Sequence, residues 1–341
     1  MSVRFAFAGF RHGHITMAHS ALKSHPAAVI VAAAEEDERT RASCLKDGVI
    51  LTHSSFERML DEVDCDVVAV GQHYAGRGAL VRAALERGRH VLADKPLCCT
   101  VAEYEAIARL SREKGLSVIA QFDLRGDGRF RALRRLIHEG AAGEVRAISF
   151  GGQHPLLHGR GRPDWYFEPG LHGGILNDIA VHAADFIPWI TGRSFAYIEA
   201  ARAWNAGFGE VPFFQNAGQA MLTLDNGAGV LGDVSYFSPD SFGYGTPYYW
   251  RTTVWCRGGV LETSCTQAGI TFHGEGDSEA THIAPDPSIP LPYLDRIISD
   301  VLGDPAGEPD TADCLEATRV SVLLQQAADR SEHHVNLRSP Q

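Results

Sequence analysis

Two short stretches far apart in this 341-residue chain hold residue types able to do acid–base chemistry. In LADKPL, Lys95 falls just past an apolar strand pattern and is followed by Pro96, which fixes the chain and removes a backbone donor. A lysine at the carboxyl end of a strand faces the crevice where open α/β sheets bind ligands, whereas a lysine of no special role more often lies on a helix. In GGILNDIAVHAADF, Asp178 and His182 are four residues apart and so share one face of a helix among apolar neighbours. Buried Asp and His are costly unless paired, so a working pair competes well here with a satisfied core pair.

A third stretch, AFAGFRHGHI, sits where a first βα turn should meet a phosphate at a helix N-terminus. Gly9 supplies the tight turn. The second glycine position of GxGxxG holds Arg11, and His14 or a shifted Gly13 stands at the third. On this reading the cofactor loop runs through Gly9, Phe10, Arg11, His12, Gly13, His14 and Ile15, with a plain structural turn as the alternative. The run AAAEEDER closes the second strand, and Glu35 is placed to accept both ribose hydroxyls of an adenosine and repel a 2′-phosphate. Arg39 and Arg41 beside it could serve NADP instead, and a solvated helix N-terminus explains the acids equally well.

The elements that must position these residues follow from periodicity. Through residue 122, short apolar runs alternate with helix-period segments. VRFAFAGF, AVIVAAAEED, DVVAVG, HVLADKP and SVIAQF read as strands, with a further short one at 49–52. The segments between them read as helices, among them SFERMLDEV with Ser55 as N-cap. Repeated βα units of this length predict a Rossmann-type doubly wound parallel sheet over 1–122. Beyond Asp123, FRALRRLIHEGAAG reads as a helix. Alternating runs joined by DNG and RGG turns then predict a C-terminal α+β domain over 123–341 with a large, mostly antiparallel open sheet. Two helices follow, PYLDRIISDVLG and TADCLEATRVSVLLQQAADR, the last of which could pack back on the first domain.

Bulk properties narrow the partners. A formal net charge of −11, with no block of Lys and Arg, argues against nucleic acid. No apolar run approaches the roughly 18 residues of a membrane span. Met1 leads directly into a strand pattern, so no export signal is read. Seven cysteines without a CxxC pair argue against a disulfide framework or a zinc ribbon and fit a reducing cytoplasm. His154 and His158, with His172, Asp178 and His182, are the residue types of a divalent-metal site. HPLLHGRGRP reads as a loop rather than a helix, however, and no metal is assigned. Trp165 and Tyr166 in RPDWYFEP offer rings that could stack on a sugar or simply pack.

The order of these features resembles the glucose-fructose oxidoreductase, inositol dehydrogenase and rhizopine-catabolism family, Gfo/Idh/MocA. The family's A-L-x-x-G-K-H-V-x-x-E-K-P-L is similar to AALERGRHVLADKPL, with Asp94-Lys95-Pro96 for E-K-P. Its G-G-x-x-x-D-x-x-x-H-x-x-D is matched by Gly173-Gly174, Asp178, His182 and Asp185, and its L-I-x-x-G-x-I-G-x-V by LIHEGAAGEVRAISF. The resemblance covers essentially the whole chain. Departures lie in QFDLRGDGRF, where Asp123 replaces Asn and Arg125 is kept, and in Gly71-Gln72-His73, which replaces a Pro-Asn.

What the resemblance implies is hydride transfer between NAD, with NADP as the open alternative, and a secondary hydroxyl of a sugar, polyol or related compound. Lys95, Asp178 and His182 would form the catalytic group. His182 would be the base, Lys95 would stabilise the developing negative oxygen, and Asp178 would orient lysine or substrate. Gln72, His73 and Asp94 join the cofactor loop. Asp123, Arg125, His154, Trp165, Tyr166 and Asn177 are the substrate candidates. A homo-oligomer, dimer or tetramer, is the expected assembly. The rivals are a redox-neutral sugar-converting enzyme with tightly held NAD or a metal, and a non-catalytic sensor on the same fold.

Overall fold

The computed structural model describes residues 2–338. These residues form two compact units: residues 2–122, 170–173 and 291–318 in the first, and 123–169, 174–290 and 319–338 in the second.

The first unit runs β1 (Val3–Ala8), α1 (Gly13–Lys23), β2 (Ala28–Ala34), α2 (Glu38–Lys46), α3 (Phe56–Glu62), β3 (Val67–Val70), α4 (Tyr74–Glu86), β4 (His90–Ala93), α5 (Val101–Lys114) and β5 (Val118–Ala120). Its five strands pair in the order β2-β1-β3-β4-β5, all parallel. All four residues of VVAV and all three of VIA are buried, the near-continuous apolar pattern of strands covered on both faces. Helix starts are set by side-chain caps. Ser55 accepts the Arg58 N–H as expected, Thr100 accepts that of Glu103, and His73 accepts that of Gly76 at the start of α4. The strand expected at 49–52 is absent. Thr52 and His53 instead donate their N–H groups to the single carbonyl of Ala33, leaving an isolated bridge between Ala34 and His53.

The second unit opens with α6 (Gly128–His138) and β6 (Val145–Pro155), then a π-helical turn, Leu176–Ala180, that runs into α7 (Val181–Thr191). There follow β7 (Phe195–Trp204), β8 (Ala217–Leu224), β9 (Gly229–Ser238), β10 (Tyr249–Cys256), β11 (Gly259–Thr263), β12 (Ile270–Gly274) and β13 (Thr281–Ile283). Helix α8 (Pro292–Leu302) belongs to the first unit, and α9 (Thr311–Arg330) is divided between the two units after Thr318; β14 (Val335–Asn336) ends the described chain. The sheet order is β13-β12-β11-β10-β6-β9-β8-β7-β14, antiparallel throughout except where β6 lies parallel to β9. Strands β8 and β9 alternate buried and exposed residues, so Met221 and Leu231 face outward while Leu222 and Val230 face the core.

Candidate functional site

In the first unit, the loops after β1, β3 and β4 gather the candidate cofactor residues. Gly9 takes a φ of +92°. A Cβ there would stand 2.9 Å from the Gln72 nitrogen, and one on Gly71 would stand 2.5 Å from the Gly9 carbonyl oxygen and 2.4 Å from a methyl of buried Ile15. The two turns approach so closely that only glycine fits at either position. Arg11 N–H donates to the Gly71 carbonyl at 2.8 Å, while its guanidinium lies 3.3 Å from Asp37. Phe10 stacks on Phe7, and the buried imidazole of His19 meets both rings edge-on.

His12 and His14 both turn to Asp94. Their Nδ1 atoms lie 2.7 and 3.0 Å from its two carboxylate oxygens, and the rings meet edge-on. Asp94 has no exposed surface. Burial alone would raise its pKa, but His12, the Arg77 guanidinium and His14 outweigh burial and hold it well below the usual carboxylate range. Burial pushes His12 down to about 4 against the pull of Asp94, so a neutral ring faces an ionised carboxylate. The three donor atoms lie within 4.8 Å of one another, a convergence that hydrogen bonding accounts for here. Arg77, passed over in the sequence, ties these loops together. It donates to the carbonyls of Gln72 and Pro96 and reaches Asp94 at 3.4 Å. Lys95 is buried, with Nζ 5.7 Å from the centre of the Tyr74 ring. Gln72 accepts the His73 N–H through its side chain, and His73 accepts that of Gly76.

The residues of this loop fit a dinucleotide on the phosphate side. Outside its own helix and chain neighbours, nothing lies within 4 Å of a Cβ placed on Gly13, the first residue of α1, where a helix presents N–H groups without intrahelical partners. The ribose side needs a correction. Glu35 has no exposed surface, and its two oxygens accept the N–H groups of Phe10, at 2.7 Å, and Asp37, at 2.9 Å. It pins the loop from beneath instead of presenting a carboxylate to a ribose.

In the second unit the candidates cluster around the π-helical turn. Gln325 accepts the Leu176 N–H, and its side chain occupies the space that a Cβ on Gly174 would need. Asp178 is buried and accepts a hydrogen bond from the Tyr236 hydroxyl on β9. Burial, then Asp178, raises the tyrosine's pKa well above its ordinary value. The edge of His182 meets the Trp250 ring, with centroids 5.1 Å apart. Trp250 has a φ of +54° at a register shift in β10, a backbone state rare for a bulky residue. His154 lies 3.1 Å from the Gly152 carbonyl through Nδ1, and its ring meets Tyr236, Tyr244, Tyr249 and Trp250 edge-on.

Three substrate candidates are committed elsewhere. Arg125 is buried in a multidentate ion pair with Asp185, with contacts of 2.6 to 3.1 Å. Asn177 is buried and accepts the Ser321 hydroxyl hydrogen. Trp165 is 2% exposed and lies against Tyr166, with ring centres 4.3 Å apart, so its face is not open for sugar stacking. Asp123 begins a short 3-10 turn, Asp123–Gly126, and is partly exposed. Sequence reasoning missed Tyr236, Trp250 and Arg162. The first two sit in strand patterns that read as plain core, whereas Arg162 stood in view in the Gly- and Pro-flanked run GRGRP.

A parallel dinucleotide-type unit and an open-sheet unit bearing a buried Asp, His and Tyr define an α/β protein with a Rossmann-like sheet and a mostly antiparallel second sheet. The chain belongs to the GFO/IDH/MocA family. Residues 3–122 match its "Oxidoreductase family, NAD-binding Rossmann fold" domain and residues 130–262 its C-terminal domain. Among relatives, dTDP-3,4-didehydro-2,6-dideoxy-alpha-D-glucose 3-reductase of Streptomyces violaceoruber is 31% identical over 44% of this chain and 43% of its own. Levoglucosan dehydrogenase of Pseudarthrobacter phenanthrenivorans is 27% identical over 53% and 46%. The chain spans about half the length of the relatives it matches. An inositol dehydrogenase homologue of Azotobacter vinelandii, solved with NAD+, shares the fold at a TM-score of 0.80 and 18% identity, covering 98% of this chain and 97% of its own. No helix among the described residues is long and apolar enough to cross a membrane.

Proposed function

We propose that this protein transfers a hydride between NAD and a secondary hydroxyl of a sugar, polyol or related compound. The observation that carries the reading is the pairing of an NAD-binding Rossmann domain, with Lys95 buried just past β4, with a sheet domain in which the Asp178 carboxylate is hydrogen-bonded by Tyr236 near the base candidate His182. The bound nicotinamide supplies the hydride acceptor.

Removing hydride from a secondary alcohol leaves a hydroxyl proton to be taken up. An imidazole has the most suitable ordinary pKa near neutrality, and His182 takes that role. Lys95 donates a hydrogen bond to the reacting oxygen and stabilises its developing charge. Asp178, held by Tyr236, orients the substrate. Arg11, His12 and His14 grip the cofactor differently from a glycine-only loop, with Gly9 keeping the turn and Gly13 keeping space at the helix start. The relatives' printed activities, on a deoxysugar nucleotide and an anhydrosugar, support a carbohydrate substrate.

A screen of polyols and aldoses with NAD, followed by the absorbance of the reduced nicotinamide, tests the reading with His182→Ala as control. Reduced cofactor formed by the wild type and lost in the variant is the expected result. Product formed with no net change in the nicotinamide would move the protein to a redox-neutral reaction. We further assign the outward face of β8 and β9, with exposed Met221 and Leu231, to contact with a second copy of the chain in a cytoplasmic homo-oligomer. A monomeric mass by light scattering would remove that assignment.

A further inference from the structure

Arg162 stands apart from the other arginines of the second unit. Its guanidinium lies over two aromatic rings, 5.1 Å from the centre of Tyr166 and 5.2 Å from that of Tyr236. It makes no ion pair among the described residues. Its protein hydrogen bonds there go to two backbone carbonyls, from Nη2 to Pro155 at 2.6 Å and from Nε to Leu156 at 3.3 Å. Those bonds fix the Nε edge of the fork and leave the Nη1 end unused, the end-on geometry that receives a carboxylate through two parallel N–H donors. Half-buried against aromatic faces, the cation loses hydration without a carboxylate in contact, an arrangement that favours an anion arriving with a ligand. Tyr236 connects this cation to the chemistry. The same ring that lies under Arg162 donates its hydroxyl hydrogen to Asp178.

We propose that the substrate is a sugar acid, a uronate or aldonate, whose carboxylate is received by Arg162 one tyrosine ring away from Asp178. The proposal rests on the hydride-transfer reading of that cluster. A single guanidinium balances a monoanion, which favours a carboxylate over the dianion of a sugar phosphate. The neighbouring Arg160 is turned to Asp240 at 4.0 Å and does not double the charge.

Calorimetric titration of the NAD-loaded full chain with glucuronate, glucose and glucose 6-phosphate tests this, using wild type, Arg162→Gln and Arg162→Lys. Glucuronate should bind wild type at least about tenfold more tightly than glucose, the gain expected of a charge-assisted bidentate contact. Arg162→Gln should erase that preference and Arg162→Lys keep part of it, with an unchanged Tm and circular dichroism spectrum in all three as the check on folding. The proposal is overturned by glucose or glucose 6-phosphate binding wild type as tightly as glucuronate, by a preference that survives Arg162→Gln, or by no binding of any of the three. Uronate binding through Arg162 with no reduction of NAD by any sugar would sink the hydride-transfer reading and leave this site standing. Turnover of neutral sugars by the wild type, with glucuronate neither bound more tightly nor turned over, would do the reverse.

Discussion

The Tyr236 hydroxyl donates its hydrogen to Oδ2 of Asp178, so a strand of the open sheet and the π-helical turn before α7 are joined at the centre of the candidate site. Both partners are buried. Burial and the adjacent carboxylate keep the phenol protonated, so it remains a donor throughout any working pH range.

Tyr236→Phe therefore removes one donor to a charged acceptor, worth about 1.5–3 kcal/mol. Steady-state kinetics should show kcat/KM down by about one to two orders of magnitude with no change in the shape of the pH profile. An unchanged rate would mean that Asp178 needs no orientation.

Glu35→Ala tests the corrected role of that carboxylate. Two loop N–H groups lose their acceptor, and leaving buried donors unpaired costs about 1–3 kcal/mol each. Denaturant unfolding should show the loss, and NAD affinity should fall with it because the phosphate loop loosens. A variant of undiminished stability that gains NADP affinity would restore the ribose reading.

Arg125→Met separates a structural pair from a substrate contact. Breaking a buried ion pair costs about 3–5 kcal/mol, because the Asp185 charge is left alone. Arg125→Met with Asp185→Leu should regain much of that stability. If the single variant folds as well as wild type and only KM rises, Arg125 belongs to the substrate after all.

Acid sensitivity should reside partly in the first unit. Burial pushes His12, His19 and His73 down to about 4 from an ordinary 6.5. The unfolded chain takes up those protons between pH 6.5 and 4 while the native chain does not. The native state is therefore fully favoured above about 6.5 and loses ground as pH falls through that window. His19→Leu, which removes the imidazole between Phe7 and Phe10, should flatten the dependence of Tm on pH across the same range. An equally steep profile would place the sensitivity elsewhere.

The sheet architecture was legible because its signals are local and repeated. Apolar runs such as VVAV and alternating runs such as AGQAMLTL state their period directly, and Ser55 and the DNG turn punctuate them. The motif spacing also placed Lys95 just past a strand and Asp178 and His182 four residues apart, and their roles belong to the proposed function. Partner choice was not. Glu35 has the residue type and position of a ribose ligand, yet the backbone of Phe10 claims it, a contact set by the path of the loop. Arg125 and Asn177 were likewise claimed by Asp185 and Ser321, residues 60 and 144 positions away. Val49 to Thr52 looked like a strand because a short apolar run does not reveal whether a neighbouring strand has an open edge for it.

The mutual approach of Gly9 and Gly71 divides the opening loop into what can change and what cannot. Although far apart along the chain, these two residues act as one joint, and a side chain on either displaces the backbone of the other. Arg11 projects from that joint without forming it, whereas His12 and His14 are tied to buried Asp94. New cofactor contacts can therefore be tried at Arg11 on an unaltered frame. The loop resembles a tool holder, whose fitting is fixed and whose bit is exchangeable.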